Sequence, residues 1–181
     1  MWSEDLKKIF KIGTKSKIGG CNLSSCILVM IGIEAFSKFY SSKNEEQAFV
    51  EFVDNYFHSY YKGKMRKIYK LFRHGLAHYF YPKSEYDNKN YARVSFCVDA
   101  YDKVMSLREV RRHLDYIRSQ QNINPSKGEF YEIIPQALFL DTVDAINKFK
   151  KDLLCKSNDV FRRKFVENYL RIKRELGHLK R

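Results

Sequence analysis

The sequence predicts a mainly α-helical bundle carrying a small β appendage, and three observations carry that prediction. Apolar residues recur at helical spacing through most of the 181 residues. Three prolines and eight glycines are the only strong breakers, which leaves room for long regular elements. One stretch, Tyr91–Val98, alternates between β-branched or aromatic and small or polar residues, the pattern of a strand. Apolar residues make up 44% of the chain and aromatics 15%, too rich in large side chains for a disordered protein. The length suits one domain with a real core, so residues 1–181 are read as a single unit, with about 91–140 as a strand-containing insertion or appendage.

The elements follow in order. Ser3-Glu4-Asp5 reads as a helix start leading into Leu6, Ile9 and Phe10. Gly13 to Gly20 reads as a basic, glycine-bearing loop. Asn22 to Tyr40 is apolar almost all round, as expected of a central bundle helix. Ser41 to Asn44 reads as a turn with a helix cap, and Glu45-Glu46 suits the next N-terminus, ahead of Phe49, Phe52, Val53 and Phe57. Gly63 breaks the chain. Met65, Ile68, Phe72, Leu76 and Tyr79 form a helical stripe, ended by Pro82-Lys83-Ser84 and a polar loop through Asn90. After the strand at Tyr91–Val98, Leu107–Ile117 reads as a charged helix and Asn122 to Gly128 as a loop. Phe130 to Leu140 is ambiguous, with Glu132–Ile134 and Ala137–Leu140 as strand pieces that could pair with the first strand. Asp141-Thr142 is read as the cap of a helix bearing Val143, Ile146, Phe149, Leu153 and Leu154. Ser157-Asn158-Asp159 caps a last helix whose stripe is Phe161, Phe165, Tyr169, Ile172 and Leu176. Arg162, Arg163, Arg171, Lys173 and Arg174 cover the rest of it, a face that is most often simply solvated.

Lys and Arg outnumber Asp and Glu by 34 to 21, a formal net charge of +13. Such a surplus repels itself in the folded state. Nucleic acid is the commonest reason to carry it, because each neutralised phosphate releases a counterion. An acidic membrane or protein partner, or a plain solubility bias, are the other readings. The four cysteines, Cys21, Cys26, Cys97 and Cys155, lack zinc-ligand spacing and are expected to be reduced thiols. The acidic N-terminus has no apolar run and is not read as a signal peptide. The longest apolar stretch, around Cys26 to Phe36, carries Glu34 and is too short to span a bilayer. A cytoplasmic protein without membrane contact, cofactor or metal is therefore expected.

The segment that could carry chemistry is Arg73-His74-Gly75-Leu76-Ala77-His78. On a regular helix His78 would sit about 140° round the axis from Arg73, close enough for both to reach one phosphate. Gly75 costs about 1 kcal/mol relative to Ala inside a helix, so close packing or close backbone approach is expected there. The same spacing also suits a structural role, in which Arg73 pairs with a core or interface carboxylate and His78 is a satisfied, partly buried imidazole.

This segment resembles the signature of the HEPN superfamily (higher eukaryote and prokaryote nucleotide-binding domains): an Arg, a polar residue, three residues, then a His. Arg73, His74, Gly75-Leu76-Ala77 and His78 fit it in order, and Pro82-Lys83 resembles a frequent tail of bacterial members. Ile33-Glu34-Ala35-Phe36 on a long apolar helix, followed by Phe49 to Phe57, resembles the first helices of that bundle. The resemblance covers about residues 20 to 84. It implies a four- to five-helix up-and-down bundle that dimerises about a two-fold axis, with two copies of the motif facing each other across a cleft. It also implies metal-independent endoribonuclease activity, which many catalytic members share, and a toxin or defence role. The alternative is a non-catalytic HEPN module that binds nucleotide, nucleic acid or a partner protein. A helical interaction protein whose basic surface docks an acidic partner is a third reading.

The side chains suit RNA cleavage. RNA carries its own nucleophile, the ribose 2′-hydroxyl. His78 could take its proton, and Arg73 could stabilise charge on the phosphate oxygens. His74 is a second histidine candidate. Glu34, on an apolar helix, is expected either to pair with Arg73 and orient it or to lie on an exposed polar edge. Lys70 and Lys83 could contact phosphate; Tyr79 and Tyr81 could stack on bases, although packing suits Tyr79 better. Expected partners are RNA, a second copy of the chain, and an antitoxin or nucleotidyltransferase. Some toxin-like members are silenced by nucleotidylation of a tyrosine two residues after the histidine. That position is Phe80 here, flanked by Tyr79 and Tyr81, a departure that argues against such regulation.

Overall fold

A computed structural model describes residues 2–15, 22–74, 91–94, 105–126, 130–155 and 159–178. The chain is mainly helical. In order it forms α1 (Trp2–Lys15), α2 (Asn22–Tyr40), α3 (Glu45–Tyr56), a 3₁₀ turn (Ser59–Tyr61), α4 (Met65–Ile68) running into a π turn (Tyr69–His74), β1 (Tyr91–Val94), α5 (Leu107–Arg112), α6 (Leu114–Gln120), β2 (Phe130–Ile133), α7 (Pro135–Leu154) and α8 (Asp159–His178). No helix among the described residues is long and apolar enough to cross a membrane.

The apolar helix α2 is central, as its composition predicts. It packs against α1, α3, the π turn, α7 and α8. Cys26, Val29, Met30 and Ile33 are fully buried along it. Burying apolar surface on all these sides is what holds a helix with so little polar periphery in water. Helix α3 starts where expected: the Asn44 side chain accepts from the Gln47 amide at 2.9 Å and Glu45 and Glu46 occupy the first turn. Its Phe49, Phe52 and Val53 join the core. Gly63 has φ +71°, a left-handed conformation that suits glycine and lets the chain reverse into α4.

Four expectations are corrected. Gly13 to Lys15 belong to α1 rather than to a loop. The charged segment is not one helix: it divides at His113 into α5 and α6. Ser106 caps α5 in a reciprocal capping box with Glu109. Ala137–Leu140 is helical, and α7 begins at Pro135 instead of Asp141. Proline is pre-set for a first helical position, and every residue from Pro135 to Thr142 is buried, so no polar side remained to reveal a helical period. In α8, Phe161 and Phe165 pack on the core, but Tyr169 and Leu176 are exposed, and Asn168 is buried instead. Asn168 Nδ2 donates to the Phe39 carbonyl at 3.1 Å, which seats α8 on the end of α2.

The β appendage is a two-stranded parallel pairing, with Tyr91 opposite Phe130 and Val94 opposite Ile133. Parallel strands need a crossover, and α5 and α6 lie in it. Residues 95–98 of the expected strand, most of the glycine-bearing loop at 16–20, and Ser157-Asn158 lie outside the described residues.

Candidate functional site

The site is built on two elements, α2 and the π turn. One carboxylate, Glu34, collects three donors. Arg73 Nε donates to Glu34 Oε2 at 2.6 Å, and Nη2 reaches Oε1 at 3.5 Å. Tyr69 Oη donates to Oε2 at 3.3 Å. Lys38 Nζ stands 3.7 Å from Oε1 and 2.7 Å from Glu45 Oε1, joining this group to the start of α3. Glu34 is 7% exposed, so of the two readings offered above the structure takes the first: it pairs with Arg73. A carboxylate this buried needs that company, since desolvating an unpaired charge is costly.

Local winding places the donors. From Tyr69 to His74 the chain is wound as a π turn, with hydrogen bonds from i to i+5 in place of i to i+4. Tyr69 and Arg73 lie four apart on it, and both point at Glu34. Phe72, between them, is fully buried, and the Tyr69 ring packs on Phe49 with centroids 4.8 Å apart. Wide turns of this kind occur often at functional positions.

The electrostatics follow from the packing. Burial works against the charge of Arg73, but the hydrogen bond and charge of Glu34 outweigh it and raise its pKa above the ordinary arginine value. Burial, then the Glu34 charge, push the Tyr69 phenol well above its usual range. The guanidinium therefore stays charged and the phenol protonated. The Arg73 side chain is 21% exposed, and its Nη1 bonds no described residue.

Of the other predicted residues, Lys70 is exposed, with Nζ 3.5 Å from Glu46 Oε1, and Arg66 Nε is 3.4 Å from the same oxygen. These cations line the outer side of α4 and the π turn. The His74 backbone closes the π turn. The side chain of His74, together with His78, Tyr79, Tyr81, Lys83 and Gly75, lies outside the described residues. Tyr69 and Lys38 were not anticipated, although both were marked by spacing: Tyr69 is i−4 from Arg73 and Lys38 is i+4 from Glu34.

A second polar cluster was not anticipated at all. Arg118 Nε donates to Asp141 Oδ1 and Oδ2 at 3.0 and 2.9 Å, and its Nη2 also reaches Oδ1. Tyr61 Oη donates to Asp141 Oδ2 at 2.9 Å, and Gln121 Nε2 donates to Tyr61 Oη at 2.9 Å. Gln121 Oε1 accepts from the Ile134 amide at 3.0 Å. All four side chains are buried and mutually satisfied, which marks a structural joint. Among the described residues, no three His, Cys, Asp or Glu side chains converge as a metal site. No protein-family model, curated protein or solved structure matches the chain.

Proposed function

We propose that this chain is a metal-independent endoribonuclease of HEPN type, with a role as a toxin or defence effector, and that Arg73 and His78 carry the reaction. The observation that supports it most is the Glu34–Arg73 pair at 2.6 Å, which holds a permanently charged fork of donors at the edge of the bundle, five residues before a histidine. An arginine so held is pre-organised to meet charge developing on a phosphate, and rigid positioning is where such donors gain their effect. In the proposed reaction the neutral imidazole of His78 takes the proton of a ribose 2′-hydroxyl. The 2′-oxygen attacks phosphorus, the bond from phosphorus to the 5′-oxygen breaks, and a second imidazole delivers a proton to that oxygen. The second copy of His78 in a two-fold dimer, or His74, supplies that acid. The products are a 2′,3′-cyclic phosphate and a 5′-hydroxyl. The surplus of 13 positive charges favours RNA as the substrate.

A second reading, a non-catalytic module binding nucleotide, nucleic acid or a protein, draws on the fact that two Arg73 nitrogens are already bonded to Glu34.

The test is incubation of the purified chain with mixed RNA in EDTA, beside Arg73→Ala and His78→Ala. Cleavage leaving cyclic phosphate ends is expected from the wild type. Each variant should lose roughly 10²-fold or more, the usual worth of a general base or charge-stabilising donor. A folded, dimeric wild type that binds RNA without cutting it, and still binds it as His78→Ala, would establish the second reading.

A further inference from the structure

A groove of about 550 Å³ lies on the side of the bundle formed by α1, α5 and α7. It shares no residue with the Glu34–Arg73 site. Its floor is apolar: Phe10, Leu107, Phe139, Leu140 and Val143. Phe10 and Phe139 meet there with ring centroids 5.5 Å apart and planes tilted by 49°. Its rim is cationic: Lys7, Lys8, Lys11, Arg108 and Arg111 line it, with Glu4 as the single carboxylate among the lining residues.

These two halves point to different parts of one ligand. A purely anionic polymer would leave the apolar floor unused, and a neutral apolar molecule would leave the cations unmatched. Several of those cations are weakly engaged. Among the described residues Lys7 pairs with Glu4 and Lys8 with Asp5, each three residues away on the exposed face of α1, and such surface pairs are worth little. Arg111 is held by Asp144 and by the Leu140 carbonyl. Arg108 makes no ion pair with a described residue, and its planar fork matches a carboxylate. The volume falls within the range of small-molecule sites, roughly 300–1,000 Å³.

We propose that this groove binds a single-chain anionic amphiphile, with its hydrocarbon tail on the half-buried Leu107 and Val143, above the buried Phe10 and Phe139, and its head on Arg108. The charge complementarity of the rim selects an anionic head, and the floor selects a tail. The inference is independent of RNA cleavage.

Calorimetric titration of the full chain with dodecanoate, below its micelle concentration, tests it. Saturable binding is expected, tightening by about fourfold for each CH₂ added from octanoate upward. Dodecyltrimethylammonium, with the same tail and the opposite head, should bind at least about tenfold more weakly. Arg108→Glu should cost dodecanoate about tenfold. Leu107→Glu places an acid on the lip of the floor, in the first turn of α5, where a helix tolerates it; it should weaken binding as much. Both variants should keep the far-ultraviolet circular dichroism of the parent. Equal binding of the two head groups, or unchanged affinity in both variants, would show detergent-like adsorption and overturn the proposal. So would failure of dodecanoate alongside tight binding of an acidic amphipathic peptide, which would make the groove a protein-docking face.

Discussion

Glu34 accepts from Arg73 and Tyr69 while Lys38 stands 3.7 Å away, all from a position 7% exposed. Removing one member of such a group leaves the others desolvated and unmatched. Glu34→Gln should therefore cost about 3 kcal/mol, at the lower end of what breaking a buried pair costs because Arg73 keeps some solvent. The urea midpoint measures it. Pairing the change with Arg73→Met should recover much of that loss while leaving RNA cleavage absent, which separates holding the fold from acting on phosphate. A double variant as unstable as the single one would show that packing around Glu34, and not its charge, sets the cost. Gln136 presents the opposite case. It is 1% exposed, and among the described residues neither its Nε2 nor its Oε1 has a hydrogen-bond partner. Gln136→Leu removes two unsatisfied groups at nearly constant volume and should raise stability by about 1 kcal/mol, read from the same urea curves.

The helices are fastened to one another by a few polar joints set in an aromatic core. Arg118 and Asp141 join α6 to α7, and Tyr61 and Gln121 extend that joint to the 3₁₀ turn and to the start of α7. Burial opposes the Arg118 charge, but the hydrogen bond and charge of Asp141 prevail and raise its pKa. Asp141→Asn should cost about 3–5 kcal/mol. For a chain of this length that is a fall in Tm of roughly 10 °C by calorimetry. Asp144→Asn removes the exposed partner of Arg111, one turn further along, and should cost less than about 1 kcal/mol. Similar losses in the two variants would mean that the buried joint carries no more than a surface pair. Two turns further along α7, Phe149 meets Tyr40, Phe52, Tyr56, Phe161 and Phe165, a set drawn from α2, α3 and α8. Phe149→Ala should cost about 3–5 kcal/mol through the cavity it leaves.

The stability of the entire chain is tied to alkaline pH by groups that fold protonated. Burial raises the Cys26 thiol well above the cysteine range, and burial together with Asp141 does the same for the Tyr61 phenol. Tyr56 and Tyr69 are shifted the same way, with burial first in each case. These groups lose protons at ordinary values in the unfolded chain, about 8.5 for Cys and 10 for Tyr, and keep them in the folded one. Above pH ~8.5 the folded state thus binds more protons than the unfolded state, so stability falls as pH rises. Urea midpoints at pH 7.5, 9 and 10 should decline in that order. The net charge of +13 acts the other way, because deprotonating lysines relieves self-repulsion, but lysines titrate mainly above pH 10. A flat or rising midpoint between pH 8.5 and 10 would show that charge repulsion outweighs the buried thiol and phenols.

Composition and period sufficed for the helical class, for α2 as the central helix and for the Asn44 cap of α3, since these depend on neighbours within a turn or two along the chain. Glu34 stood out as a carboxylate on an apolar helix, with pairing to Arg73 and an exposed polar edge both open, and Arg73 stood out through the motif its segment resembles. Composition and period failed where burial or distance removes the local signal. The start of α7 is buried on every side, so Asp141-Thr142 passed for a cap when Pro135 was the true beginning. Asp141 answers to Arg118, 23 residues back, and to Tyr61, 80 residues back, and no local pattern encodes that partnership. The π turn that aims Tyr69 and Arg73 at one carboxylate is equally silent in a periodic reading, since which turn is wound wide depends on packing against α2 and not on neighbours along the chain. Helical periods are properties of adjacent residues and can be read along a chain. Which carboxylate meets which cation depends on how the helices pack, and packing alone chose Glu34 for Arg73 and Asp141 for Arg118.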